Sequence, residues 1–101
     1  MSPISPYEVE ANQIANRGHE VGKKLWQAVY INEIHDPLAT FSDCVTIIAN
    51  QTESNCAERE LFTLAARHAI RDVTKETLEL FEREFDECYW RFVKAKENVG
   101  S

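Results

Sequence analysis

From Asn55 onward the chain contains neither glycine nor proline until Gly100. A stretch that long without turn formers cannot supply the tight reversals that hairpins and meanders need. The whole sequence has only 3 Gly and 3 Pro in 101 residues, and Pro3, Pro6, Gly18 and Gly22 fall within the first 22. The backbone is therefore expected to be helical almost throughout, and its length fits a single core with no room for a second domain.

Local signals place the helices. Ser5 stands as an N-cap with Pro6 at N1 and Glu8 at N3, a capping box, and Ile4 and Val9 form the expected hydrophobic staple. Tyr7, Ala11, Ile14, Gly18, Val21, Leu25 and Ala28 follow at alternating steps of four and three, which is one stripe of an α-helix. This first helix is expected over about 6–35, stopped by Asp36-Pro37, because the residue before a proline is pushed out of helical geometry. Ala11, Ala15, Gly18 and Gly22 lie on nearly one line, so another backbone can approach there. Each mid-helix glycine costs about 1 kcal/mol relative to alanine, which calls for a packing reason. A ligand or partner helix in the groove is one reading, and a crossing with another helix of the same chain is the preferred one.

A shorter second helix is expected over 38–50, entered through Asp36-Pro37 or through Thr40 with Asp43 at N3, with Leu38, Phe41, Val45 and Ile48 facing inward. Asn55 with Glu58 at N3 starts a third segment, 55–97, whose stripe runs from Phe62 through Ala66, Ile70, Val73 and Phe81 to Phe85, Cys88 and Phe92. As one helix, 56–97 is about 63 Å long against about 45 Å for 6–35. Either something covers the excess, or the segment breaks near Asp72-Val73-Thr74, where Asp and Thr can both cap a new start. The expected fold is all-α, a three- or four-helix bundle in which the first helix and the third segment form a long antiparallel pair.

Charge narrows the partners. With 17 Asp and Glu against 11 Lys and Arg the net charge is -6, which disfavours attraction to nucleic acid or to an anionic membrane surface. No run approaches the roughly 18 apolar residues of a membrane span. Met1-Ser2-Pro3-Ile4 lacks the basic and apolar regions of a secretory signal, and the 3 cysteines have no paired spacing. Together these lead to the expectation of a reducing, cytoplasmic setting.

Catalytic patterns are sparse. His19, His35 and His68 lie in no metal-ligand spacing, and His68 with Asp72 reads as an exposed i,i+4 helix pair, so neither metal nor cofactor is expected. Cys56 falls in a first helical turn where the helix dipole favours thiolate, yet no histidine is near it in sequence, and Cys88 on the apolar stripe reads as core. Phosphate-binding glycine loops and nucleophile elbows are absent. Arg67, Arg71 and Lys75 at steps of four form a short basic ridge without interleaved aromatics, read as a solvated face.

The least ordinary segment is 76–92, which carries five of the ten aromatics and six acids. On a helical wheel Leu78, Phe81, Phe85, Tyr89 and Phe92 gather on one side, and Trp90 falls among Glu76, Glu79, Arg83 and Asp86 on the other. Aromatic anchors rimmed by charge are what a docking surface offers, so Glu79, Glu82, Asp86, Tyr89 and Trp90 are the expected contacts to a protein partner. The bland reading is a solvated acidic face laced by Glu79–Arg83 and Glu87–Arg91 pairs. The leading expectation is thus a small acidic, non-enzymatic adaptor or inhibitor. One alternative is a nucleic-acid mimic, with Asp72, Glu76, Glu79, Glu82 and Asp86 imitating successive phosphates. The other is a ligand- or metal-dependent enzyme built around His19, His35 or His68. A homodimer is also expected if the third segment is continuous, since Phe81, Phe85, Tyr89 and Phe92 would then be left wet.

Overall fold

The computed structural model describes residues 5–100, with side chains described through Asn98. The chain forms four helices, α1 (Pro6–Ile31), α2 (Pro37–Thr52), α3 (Cys56–His68) and α4 (Lys75–Gly100), and no strand occurs among the described residues. The fold class is all-α.

Both expected caps form. The Ser5 hydroxyl accepts from the Tyr7 amide at 3.2 Å while the Glu8 carboxylate accepts from the Ser5 amide at 3.0 Å. Asn55 accepts from the Glu58 amide at 3.0 Å at the head of α3. Val9 is 45% exposed, and its expected staple partner Ile4 lies outside the described residues.

Helix α1 ends at Ile31 rather than near His35, since reversing the chain ahead of Pro37 takes several residues: Glu33 (φ 49°) and Asp36 (φ 51°) both enter the left-handed region. Asp36 caps α2 from that conformation by accepting from the Ala39 amide, which settles the choice of entry in favour of Asp36-Pro37. Left-handed backbone is tolerated by Asp because its short polar side chain bonds locally.

The third segment is two helices. α3 closes at His68 with Arg67 and His68 in its last turn, and a six-residue connection follows, 69–74. Thr74 restarts the chain: its hydroxyl accepts from the Thr77 amide at 3.2 Å and its carbonyl accepts from Leu78 at 3.0 Å. The break removes the length mismatch, since α1 and α4 are each 26 residues long. It also covers the aromatic stripe within the chain. Phe81 and Phe92 are buried and Phe85 and Tyr89 half-buried, so the wet face that a second copy was expected to cover does not arise.

The expected antiparallel contact between the first helix and the start of the third segment is not what forms. Gly18 lies over the backbone of Phe62, and four residues on Gly22 lies over Ala66, so α1 and α3 run in the same sense where they cross. Helix α4 meets α1 through Tyr89, which donates to Asn12 and to the Glu8 carbonyl, and through Lys96 with Glu10. The glycines answer to intramolecular packing: a Cβ on Gly18 would sit 2.4 Å from the Phe62 carbonyl oxygen, and one on Gly22 would sit 2.4 Å from the Ala66 carbonyl oxygen and 2.7 Å from its Cα. Helices α2 and α4 flank this pair without approaching each other closely among the described residues. The core runs along the crossing and its flanks, with Phe41, Val45, Leu61, Phe62 and Ile70 fully buried.

Candidate functional site

The expected docking residues on α4 divide once the helix is placed. Glu79 and Asp86 are exposed, and Trp90 is 49% exposed beside an open groove of about 460 Å³ formed with Glu87, Arg91, Lys94, Ala95 and Asn98. Tyr89 instead turns inward. Its ring packs edge-on against Trp90 with centroids 5.0 Å apart, and its hydroxyl donates to the Asn12 side chain of α1 at 2.9 Å. Burial, with the Glu8 charge beside it, pushes the Tyr89 phenol above its usual range. Glu82 faces His68, with 3.5 Å between Oε1 and Nε2. Arg91 does not pair along its own helix with Glu87; it binds Glu60 of α3.

The break at 69–74 also disassembles three patterns that require an unbroken helix. Asp72 sits in the connection, so the acidic series proposed to imitate phosphates does not lie on one helix. For the same reason the Arg67, Arg71 and Lys75 ridge is divided among α3, the connection and the start of α4. His68 is the last residue of α3 and makes no i,i+4 helix pair with Asp72.

In place of that pair the fold assembles a cluster that sequence spacing does not show. His19 of α1 and His68 of α3 approach to 6.2 Å between ring centroids, edge to face, and His68 stacks on Phe85 of α4 at 5.4 Å and 4°. His35 is exposed in the α1–α2 connection and takes no part. Desolvation lowers the His19 pKa below its ordinary 6.5, helped by the neighbouring His68, Lys23 and Arg71 and opposed by Glu20. Beside His19, a cavity of about 220 Å³ opens between α1 and the 69–74 connection, lined by Lys23, Trp26, Gln27, Ala69, Arg71 and Asp72. The Trp26 indole Nε1 is buried with no acceptor. A signal existed, since His19, Lys23 and Gln27 stand at steps of four on one face of α1. Its other half, the connection, is defined only by where α3 stops.

A second feature invisible in the sequence is a buried charge. Glu53, the C-cap of α2, is 6% exposed, and both of its carboxylate oxygens accept from Arg17 of α1, at 3.0 and 3.2 Å. The pair lies at the rim of an apolar cleft of about 430 Å³ floored by Val21, Ile48 and Phe62. At the α1–α2 corner, Tyr30 and Ile31 are 66% and 77% exposed.

Among the described residues no group of three or more His, Cys, Asp or Glu could hold a metal ion. Cys56 is exposed at the head of α3, where its sulfur neighbours Arg59, and Cys88 is buried, which pushes its thiol up. No helix among the described residues is long and apolar enough to cross a membrane. Compared with known proteins, the chain matches no family model, no curated protein and no solved structure.

Proposed function

We propose that the chain is a small acidic, non-enzymatic interaction protein, an adaptor or inhibitor that docks on a larger protein through the outer face of α4, and that its four helices serve as a compact bundle presenting that face. The observation that carries this reading is Trp90: the core closes without it, yet it stands 49% exposed beside a groove, one turn after the exposed Asp86 and on the same helix as the exposed Glu79. A large aromatic held rigidly at the surface is the usual energetic centre of a protein contact, and charges around it set orientation and encounter rate. Tyr89 contributes by holding Trp90 from beneath rather than by touching the partner. Glu82, shared with His68, serves the rim less than Glu79 and Asp86 do.

The test is quantitative affinity capture from the source cell with wild type, Trp90→Ala and Asp86→Lys baits. The expected result is a partner enriched by wild type, lost with Trp90→Ala and reduced with Asp86→Lys. Equal capture by all three sinks the α4 reading. A second surface is favoured by the exposure of Ile31 and Tyr30, so an Ile31→Lys bait belongs in the same comparison. Loss of the partner with that bait alone moves the interface to the α1–α2 corner.

A further inference from the structure

The cavity between α1 and the 69–74 connection brings Lys23, Arg71 and His19 together with one carboxylate, Asp72. Acids outnumber Lys and Arg 17 to 11, yet among the described residues only Arg17, Arg91 and Lys96 hold an ion pair with one. Lys23 and Arg71 are both exposed and form no ion pair among the described residues, and both lie close enough to His19 to depress its protonation. The acids nearby are accounted for. Glu20 lines the separate cleft toward α2, Glu82 meets His68 from the α4 side, and Asp72 is the one carboxylate in the lining. Two cations, a histidine and the amide of Gln27 thus line the same cavity as a single acid.

We propose that this cavity binds a small phosphate monoester bearing an amino or hydroxyl group, with the phosphoryl oxygens between Lys23 and Arg71 and the donor group toward Asp72. A guanidinium presents several N–H donors in a fixed fork that matches phosphoryl oxygens, and an ammonium adds a compact charge. Asp72, acceptor-only when ionised, distinguishes a ligand that carries a donor from a bare anion. At about 220 Å³ the space is below the range that holds drug-sized ligands, which suits a small monoester. The anion would relieve the repulsion that His19 now feels from Lys23, Arg71 and His68. This site is separate from the α4 docking face and stands or falls independently of it.

The experiment uses the Trp90→Phe chain, in which Trp26 in the cavity wall is the sole tryptophan, titrated with phosphoethanolamine, methyl phosphate and inorganic phosphate. A saturable change in Trp26 emission is expected, with phosphoethanolamine binding tightest. Charge-assisted hydrogen bonds are worth about 1.5–3 kcal/mol, so Lys23→Met and Arg71→Gln should each weaken binding about tenfold or more. Lys24→Met, which removes the adjacent exposed charge outside the lining, should leave it unchanged. Asp72→Asn should abolish the preference for phosphoethanolamine over methyl phosphate. As a second readout on unsubstituted protein, saturating phosphoethanolamine should raise the His19 titration midpoint in ring NMR spectra. A linear, non-saturating response, an equal loss with Lys24→Met, or a His19 midpoint that does not move overturns the proposal. Equal affinity for phosphoethanolamine and methyl phosphate overturns the role given to Asp72.

Discussion

Helix α1 meets two neighbours by opposite means. Toward α3 it presents Gly18 and Gly22, and the two backbones come so close that a single added methyl would strike a carbonyl oxygen. Toward α4 it presents the Glu8 carbonyl and the side chains of Glu10 and Asn12, which the long side chains of Tyr89 and Lys96 reach across to meet. The first contact is fixed by the absence of atoms and cannot adjust, because protein interiors are close-packed and backbone moves only as a unit. The second is made of partly exposed polar tips and can lose members singly. One helix thus carries a rigid face and a forgiving one.

Substitutions at the crossing should show the difference most strongly. Gly22→Ala gains about 1 kcal/mol of helix propensity but overpacks against the Ala66 backbone, and the net expectation is a loss of about 2–3 kcal/mol. Chemical denaturation reads this directly, and a stabilised protein would show that α1 and α3 are not in backbone contact. Next in size is Arg17→Met, which leaves the Glu53 carboxylate buried without its partner. Because Arg17 itself is 55% exposed and the cleft is open, the cost is expected at about 1–2 kcal/mol rather than the larger figure for a sealed pair. Restoring stability with Glu53→Gln in the Arg17→Met background would tie the loss to the orphaned charge.

On the forgiving face, Tyr89→Phe removes the exposed bond to Asn12 and the longer one to the Glu8 carbonyl, and should cost about 0.5–1 kcal/mol with the fold unchanged. A loss as large as that of Gly22→Ala would erase the distinction between the two faces. The smallest effect is a pH dependence from His19. Its folded pKa lies below 6.5, so as pH falls from 7 the unfolded chain takes up the proton first, and stability declines through 6.5 to the folded value. The stability difference between wild type and His19→Gln should therefore shift against wild type on acidification over that window, and parallel curves would contradict it.

The two faces also differ in how far the sequence disclosed them. The line of Ala11, Ala15, Gly18 and Gly22 announced a close approach, and the caps at Ser5 and Asn55 form as expected because each uses only its own neighbours. The end of α1 at Ile31 was less visible, since it depends on left-handed backbone at Glu33 as well as at Asp36, and a glutamate does not advertise it. The break after His68 was one of two outcomes, and only tertiary packing decides between them: a continuous helix would leave Phe85 and Phe92 uncovered. What depended on that decision, the meeting of His19 with His68 and the lining of the cavity beside them, could not be read ahead of it. Trp90 needed no such knowledge, as its place on the polar side of the wheel follows from period alone.

That α2 and α4 each pack on the α1–α3 pair without close approach to one another gives the molecule two wings that share one core. Neither wing depends on the other for its buried surface, so amide exchange in each should be governed by its own opening free energy, while α1 and α3 exchange only through global unfolding. An event that loosens α4, such as a partner levering on Trp90, would leave α2 and the Asp36 cap in place. The 69–74 connection, which joins α4 to α3, is also one wall of the cavity beside His19. Occupation of the cavity and mobility of the wing would then be two readings of the same six residues.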